Sequence, residues 1–403
     1  MRKLLKLRNI EVRLTPESMQ MYAKFYLFEH VGKQVLISGC SNLTQYDLFE
    51  EVAKEQIFKS ITNTNLSNRV LLRDAYMDTK NRLGRIPNLS DFGQLDTLDP
   101  YVFFDNFNHY GEVISSFDKD DRFVKIPVLN GFLTFLCKEV SNGKRKQDLY
   151  LLKVLFEQSK ISKSDFQNFL MSEQLEASDE ILKSIEACLT YKFFIKRDQE
   201  KYGLPPLEVK EDFYCIASNF SRLLTKDYQE FILDIIQTGL NRAEKYPQEP
   251  FTIGEKYSRK DAVKLLNWDK DESSTVYGYK VKHGTCPIFV TYHKEEDITE
   301  TTQYQDGFLS NRVFHWYSRS NRSFKSKEVA EIMNSNQTNL ALHLFIKKAD
   351  GEGNDFYYLG PVHYIENSAI ETKMQNGKTP VVTMNFELLN EVSLTLYDYL
   401  TKK

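Results

Sequence analysis

The spacing of apolar residues changes character along this chain. Near the start it alternates, in Ile10-Glu-Val-Arg-Leu14, in Lys24-Phe-Tyr-Leu-Phe28 and in Gln34-Val-Leu-Ile37, which runs up to Gly39. Alternation puts every second side chain on one face and predicts strands. A helix is expected over Thr44–Lys54. From 56 to 140 the helical period takes over. Ser67 can cap a helix over Asn68–Leu83, with Val70, Leu71, Ala75 and, less regularly, Met77 and Leu83 as its apolar positions. Gly84, with Pro87 beyond it, supplies the stop.

Between 146 and 220 three helices are expected: Gln147–Gln158, a second from Ser164 or Asp165 to Met171, and Asp179–Tyr191 behind Ser178. Two extended runs follow, Lys192–Lys196 and Phe213–Ala217, around a Gly203-Leu-Pro-Pro turn. Three helices and a hairpin describe a winged helix, and equally a helical spacer. In a winged helix Asp179–Tyr191 would read DNA, yet Asp179, Glu180 and Glu186 suit phosphate poorly, which favours the spacer. Asp227–Tyr246 is amphipathic through Phe231, Ile232, Ile235, Ile236 and Leu240. Pro247-Gln-Glu-Pro250 breaks it and marks the main boundary.

Beyond that boundary strands prevail: Ser274–Val281, Pro287–Tyr292, Ala341–Lys348, Phe356–Val362 and Val381–Leu388. A short helix, Arg259–Leu266, follows Ser258, and Glu391–Leu400 is a closing helix. The expected fold class is α+β. A strand fragment (1–55) precedes a helical spacer (56–145), a helical domain of winged-helix or spacer type (146–247) and a C-terminal domain (251–403). That last domain is a curved β-sheet or small barrel with flanking helices.

Composition narrows the chemistry. The 403 residues allow two to four domains, and 41% hydrophobic with 13% aromatic content gives ample core. The net charge of −3 supplies no global positive field, so a nucleic-acid site must be a local patch. Cys40, Cys137, Cys188, Cys215 and Cys286 form no Cys-x-x-Cys pair, which fits a reducing cytoplasm better than a zinc ribbon or disulfide scaffold. No apolar run suits a signal peptide or approaches the ~20 residues of a membrane span. A cytoplasmic protein without a membrane association is expected.

Two resemblances add to this. Tyr22-Ala-Lys24, Glu29 and Gly39-Cys40-Ser41-Asn42 resemble a phospholipase-D-type phosphodiesterase motif. In that family the pattern is His-x-Lys, an acidic residue five positions on, then Gly-Ser-x-Asn. Here Tyr22 stands where the nucleophilic His belongs, Glu29 replaces Asp and Cys40 replaces Ser. Lys24 and Asn42 remain and could hold phosphate oxygens. A phenol with a pKa near 10 is mostly protonated at neutral pH, so the resemblance implies a degenerate nuclease fragment. It covers about the last third of a phospholipase-D-like half. Another chain would complete its sheet, or the fragment is the relic of a deletion.

The second resemblance lies in Tyr257-Ser-Arg-Lys-Asp-Ala-Val-Lys-Leu-Leu-Asn-Trp268, Tyr277-Gly-Tyr-Lys280, Cys286–Lys294 and Ala349–Gly360, with Leu83-Gly-Arg-Ile-Pro87 upstream. These segments resemble the uncharacterised C-terminal domain of bacterial superfamily II helicases, including SauUSI-like, modification-dependent (type IV) restriction enzymes. The resemblance implies reading of methylcytosine in DNA by residues 251–403. The chain has no Gly-x-x-x-x-Gly-Lys-[Ser/Thr] loop and no room for a helicase core before Leu83, so motor activity is excluded for this polypeptide alone.

An extruded base is read by stacking on rings and by hydrogen bonds to its edge. The candidate stretch is His315–Lys325, a polar loop in which Trp316 or Tyr317 could stack a base and Arg319, Arg322 and Lys325 could hold phosphates. The alternative is that Trp316 anchors the loop in the core and the charges are solvated. Tyr277 and Tyr279, two apart on one strand face, and Tyr292 on the next strand could line one pocket or simply pack as cross-strand pairs. Asp306 is a candidate acceptor for a cytosine N4 amine, or an Asp-Gly turn. The Asp350–Asp355 run fails the EF-hand spacing and is expected to be a hairpin loop. Glu371-Thr-Lys373 is assigned to a linker. No cofactor and no metal site is expected. The expected partners are DNA and a separate helicase or nuclease subunit, with a homodimer through the N-terminal fragment. Two rival readings are a nuclease active as a dimer and a non-catalytic subunit docking on a helicase.

Overall fold

The computed structural model describes residues 24–30, 33–39, 65–94, 99–293, 306–374 and 377–402. The chain divides into two units, Met1–Gly84 and Arg85–Lys403.

In the first unit β1 (Lys24–His30) and β2 (Lys33–Gly39) form an antiparallel hairpin in register from Lys24 opposite Gly39 to His30 opposite Lys33. The expected strands are therefore there. Lys24 and Glu29 lie on β1, whereas Tyr22, Cys40, Asn42, the Ile10–Leu14 run and the Thr44–Lys54 helix fall outside the described residues. Helix α1 (Asn65–Leu83) ends as expected at Gly84, whose φ of +66° suits glycine. Its buried stripe is Leu72, Tyr76 and Thr79, spaced i, i+4, i+7, while Val70 is exposed. The other expected apolar positions, Leu71, Ala75, Met77 and Leu83, are half-buried.

The second unit is helical up to Lys245. Its interior is aromatic, with Phe123 stacked on Phe231 at 3.9 Å and Phe135 packed among Tyr191, Phe194 and Tyr202. Helix α2 (Lys146–Gln158), strand β3 (Lys160–Ser162), α3 (Lys163–Ser172), α4 (Asp179–Leu189) and α5 (Lys196–Tyr202) are followed by β4 (Leu207–Lys210) and β5 (Phe213–Ile216). The three strands form a sheet in the order β3-β5-β4. Lys192–Lys196 is not a strand: it turns into α5, and the hairpin closes at Glu211-Asp212 rather than at Gly203. Helix α4 buries Ile181, Leu182, Ser184, Ile185, Cys188 and Leu189. Arg145 donates to the Ser184 hydroxyl at 2.7 Å. What α4 leaves exposed is Asp179, Glu180 and Lys183, two carboxylates to one cation, which suit phosphate poorly. Helix α6 (Lys226–Arg242) follows, with the expected apolar stripe.

Residues 251–402 carry a mixed sheet ordered β7-β10-β11-β13-β9-β8, formed by β7 (Thr285–His293), β8 (Gly307–Ser310), β9 (Val313–Tyr317), β10 (Ala341–Ala349), β11 (Phe356–Tyr364) and β13 (Pro380–Leu388). Strand β6 (Lys256–Tyr257) pairs with β11, and β12 (Ile370–Lys373) with β13. Among the described residues only the β7–β10 pairing is parallel, in register from Thr285 opposite Ala341. The sheet curls into a half-barrel. Its inner face buries Ile288, Val290, Leu344, Phe314, Met384 and Phe386 under Val329 and Ile332 of α8 (Lys327–Met333) and Leu400 of α9 (Leu394–Thr401). On the opposite face Phe289, Phe345, Phe356 and Tyr358 meet Phe251 and Tyr257.

This texture matches the expected α+β curved sheet, with two local corrections. Ser274–Val281 makes a 3₁₀ turn and isolated bridges instead of a strand, and Glu371–Lys373 is strand, not linker.

Helix α7 (Arg259–Leu265) starts in a capping box between Ser258 and Asp261 and binds the sheet to the helical half. Glu139 sits in a π-helical turn, Leu136–Val140. It accepts from Tyr202 Oη at 2.6 Å and from Lys260, while its carbonyl takes Lys264 Nζ at 2.8 Å. Lys144 pairs with Asp261 at 2.6 Å. The two halves are thus locked by buried, fully engaged charges.

Candidate functional site

The half-barrel leaves a seam between its end strands. The outer edge of β7 is covered by Gly278–Lys282, where Phe289 N–H donates to the Gly278 carbonyl at 2.6 Å and Tyr279 bridges Ile288. At the other margin β8 and β9 are unpaired with β7. There Tyr292 stacks on Phe308 at 5.8 Å, so side chains close the barrel.

A cavity of about 390 Å³ opens in this seam. It is lined by Tyr277–Tyr279, Phe289–Thr291, Asp306, Trp316–Ser320 and Asp350. That volume lies at the low end of the range of small-molecule sites.

The cavity collects six of the nine residues singled out in the C-terminal domain: Tyr277, Tyr279, Asp306, Trp316, Tyr317 and Arg319. Their roles differ from expectation. His315, Trp316 and Tyr317 end strand β9 and are not loop. Trp316 is 3% exposed, set edge-on to Tyr279 at 4.9 Å and against Phe386 at 5.3 Å. It is a wall rather than a free stacking platform. Tyr277 and Tyr279 share no strand face. Gly278 between them takes φ +82°, a turn only glycine makes readily, and it leaves Tyr277 69% exposed on the rim and Tyr279 1% exposed inside.

Asp306 accepts the Tyr317 N–H at 2.8 Å, which fixes its carboxylate at the cavity. Burial, helped by that carboxylate, pushes the Tyr317 phenol up. Tyr292 packs on Phe308 and does not line the cavity.

The cations are redistributed as well. Arg319 forms an ion pair with Glu328 on α8, and Arg322 Nε lies 3.8 Å from the same carboxylate. One carboxylate thus sits between two guanidinium groups, with Arg319 the closer partner. Lys325 is exposed. Tyr279 Oη and Arg319 Nε are buried next to each other at the cavity. The guanidinium carbon lies 4.6 Å from the Tyr279 ring centroid. Burial raises the Tyr279 phenol, and the adjoining Arg319 guanidinium, as hydrogen-bond and charge partner, partly offsets this.

Sequence reasoning missed Arg259, Phe289 and Asp350. Arg259, the first residue of α7, stands over Phe289 at 5.4 Å and Phe356 at 4.9 Å. Its Nε is buried without a hydrogen-bond partner among the described residues. Burial lowers its pKa, and Asp350 works against that. Lys347 lies 5.1 Å from the same Phe356 ring and pairs with Asp350 at 2.9 Å. The Ser258 cap was legible, but nothing in Ser-Arg-Lys-Asp marks Arg259 as facing a ring on β7. Among the described residues no group of His, Cys, Asp and Glu has metal-binding geometry. Cys137 and Cys188 are buried thiols pushed up to about 12 by burial.

Two family models match the chain, both described as domains of unknown function: DUF8090 over residues 72–248 and DUF3427 over residues 251–400. No curated protein matches it significantly. Among solved structures, the chain is similar to the DNA modification-dependent restriction endonuclease AspBHI at 13% identity, over 34% of this chain and 75% of that one, with a TM-score of 0.25. It is also similar to the SRA domain of SUVH5, solved with hemi-methylated CG DNA, at 13% identity, over 37% and 97% of the two chains, with a TM-score of 0.26. A third similarity is to KRYPTONITE, solved with mCHG DNA, at 11% identity over 43% and 41%, with a TM-score of 0.24. Likenesses this weak fix neither fold nor ligand.

Proposed function

We propose that residues 251–402 read one base of DNA, a modified cytosine, extruded into the seam cavity. The observation that carries this is the joining, in one 390 Å³ cavity, of ring walls from Tyr279, Phe289 and Trp316 with the carboxylate of Asp306. In this reading the Asp306 carboxylate, held by the Tyr317 N–H, accepts the cytosine N4–H. Tyr277 on the rim stacks the base or its neighbour. Arg259 and Lys325 hold flanking phosphates.

The wider reading is of a cytoplasmic DNA-recognition portion of a helicase-type restriction system. In it the hairpin at Lys24–Gly39 is a phospholipase-D-like remnant, and the protein works with a separate helicase or nuclease subunit. That reading is supported by the sequence resemblances. The direct test is fluorescence anisotropy with a duplex carrying one 5-methylcytosine and the same duplex unmodified. At least about tenfold tighter binding of the modified duplex is expected. Equal affinity, or none, overturns the proposal.

A further inference from the structure

We infer that the helical half carries a surface that tracks the phosphates of duplex DNA, made by Lys192, Lys196, Arg197 and Lys201 and continued by Lys270 near the start of the loop that bears Tyr277. The choice of DNA as partner rests on the base-reading function proposed above.

The surface follows from how the chain is pinned. Phe193 and Phe194 are 1% and 3% exposed, and Phe194 packs on Phe135 and Tyr202. Tyr202 in turn holds Glu139 through its hydroxyl at 2.6 Å. These anchors fix both α5 and the turn before it, and they leave Lys192, Lys196, Arg197 and Lys201 exposed. Arg197 and Lys201 are four apart and share a helix face.

The positive charge here is poorly compensated. Lys192, Lys196, Lys201 and Lys270 form no ion pair among the described residues. Arg197, with its side chain 85% exposed, has its neighbour Asp198 at 3.6 Å, and Asp198 also faces Lys260 at 4.0 Å. An exposed pair of that length holds a guanidinium weakly. Glu200 is the one exposed carboxylate between 192 and 204. Burial, and then the charge of Lys201, lower the Lys138 pKa, so Lys201 adds to a positive field at this surface.

Lys270 joins from the C-terminal half. The Asp271 N–H donates to the Phe193 carbonyl at 2.7 Å, which sets the exposed Lys270 next to the Lys192–Phe194 turn. The nearby acids are engaged: Asp269 and Glu272 pair with Lys282 and Lys280, and Asp271 accepts the Ser273 N–H. From Asp271 to Tyr277 on the cavity rim the chain advances six residues, at most about 20 Å. A strand of duplex DNA rises about 3.4 Å per nucleotide, so the surface begins within roughly six base pairs of a base held at the cavity. Contacts of this kind carry affinity and register, not sequence.

The test uses the full chain and a long duplex with one central 5-methylcytosine, beside the same duplex unmodified, titrated at several salt concentrations. Combining Lys192→Gln, Lys196→Gln, Arg197→Gln and Lys201→Gln should lower the slope of log K against log salt by about 2–4. Both duplexes should weaken by one common factor of at least about tenfold, with their ratio and the thermal unfolding unchanged. Lys201→Gln alone should lower the slope by about 0.9. A control combining Lys119→Gln, Lys210→Gln, Lys226→Gln and Lys402→Gln removes as much charge from scattered exposed positions and should leave the slope as it was. A parental slope in the first variant, or an equal loss in the control, overturns the surface while base reading stands. If the parent binds both duplexes equally and the first variant still loses slope, base reading fails and the surface stands. If the parent binds neither duplex, both fall.

Discussion

Arg319 lies over the Tyr279 ring at 4.6 Å while its Nη2 is bound to the Glu328 carboxylate. The same carboxylate has Arg322 Nε at 3.8 Å. Two of the three cations that make His315–Lys325 look like a phosphate-binding loop thereby share one carboxylate, while Lys325 is exposed. In the proposed reading Lys325 and, from a different part of the chain, Arg259 meet phosphate.

This division predicts the salt dependence of DNA binding. Arg259→Ala and Lys325→Ala should each lower the slope of log K against log salt by about 0.9, one phosphate contact apiece. Arg322→Ala should leave the slope unchanged. Titrations at several salt concentrations check this, and a reduced slope for Arg322→Ala alone would reverse the assignment.

Trp316 and Tyr277 should behave oppositely. Trp316 is interred against Phe386 and Tyr279, so Trp316→Ala should cost about 3–5 kcal/mol of stability, read by urea denaturation. Tyr277 is exposed on the rim. Tyr277→Ala should leave stability within about 0.5 kcal/mol and weaken binding by roughly 1–3 kcal/mol if it stacks a base. A stable Trp316→Ala protein that no longer binds DNA would make Trp316 a ligand contact after all.

The contrast shows what the sequence could and could not disclose. Strands β7, β10, β11 and β13 were legible because their apolar runs are long and bounded by turns. Strand β9 also alternates: Phe314 and Trp316 are buried, while Val313, His315 and Tyr317 are half-buried. The cations that follow at once made it read as a loop. Glu328, the partner of both arginines, is nine residues from Arg319, and no local pattern couples them. Tyr277 and Tyr279 look equivalent until the left-handed turn at Gly278 separates them. The three helices of residues 146–189 were found, but the burial of α4, which decides what that region can touch, comes from packing. Six of the nine candidate residues line one cavity in the folded chain. Their individual roles depend on a seam that only the folded sheet creates.

Asp306→Asn should discriminate between a structural and a reading role. The amide oxygen can still accept the Tyr317 N–H, so the melting temperature should hold. The amide removes the charge and offers one oxygen where there were two. Affinity for modified DNA should drop by about 1–3 kcal/mol, read by anisotropy. Unaltered binding would confine Asp306 to its turn.

Two buried histidines make stability pH-dependent. Burial holds His343, hydrogen-bonded to Tyr358 at 2.9 Å, down at about 4, and holds His109 down at about 4 against the opposing effect of Glu112. The unfolded chain binds these protons near pH 6.5. Stability is therefore full above pH 6.5 and is lost as the pH falls toward 4, by about 1.4 kcal/mol per unit for each histidine. Urea denaturation from pH 7.5 to 4.5 should show this decline, and His343→Gln should flatten it by one histidine. An unchanged slope in that variant would mean that His343 is protonated in the folded protein.

The central claim is that a single base leaves the helix and enters the seam between β7 and the β8–β9 margin. The most direct measurement is the fluorescence of 2-aminopurine placed next to one 5-methylcytosine in a duplex, titrated with the full chain. Extrusion of the neighbour unstacks the probe, so a saturable brightening is expected with the modified duplex. That brightening should be absent with the unmodified duplex and lost in Asp306→Asn. Saturable binding of the modified duplex with no change in the probe would contradict the account.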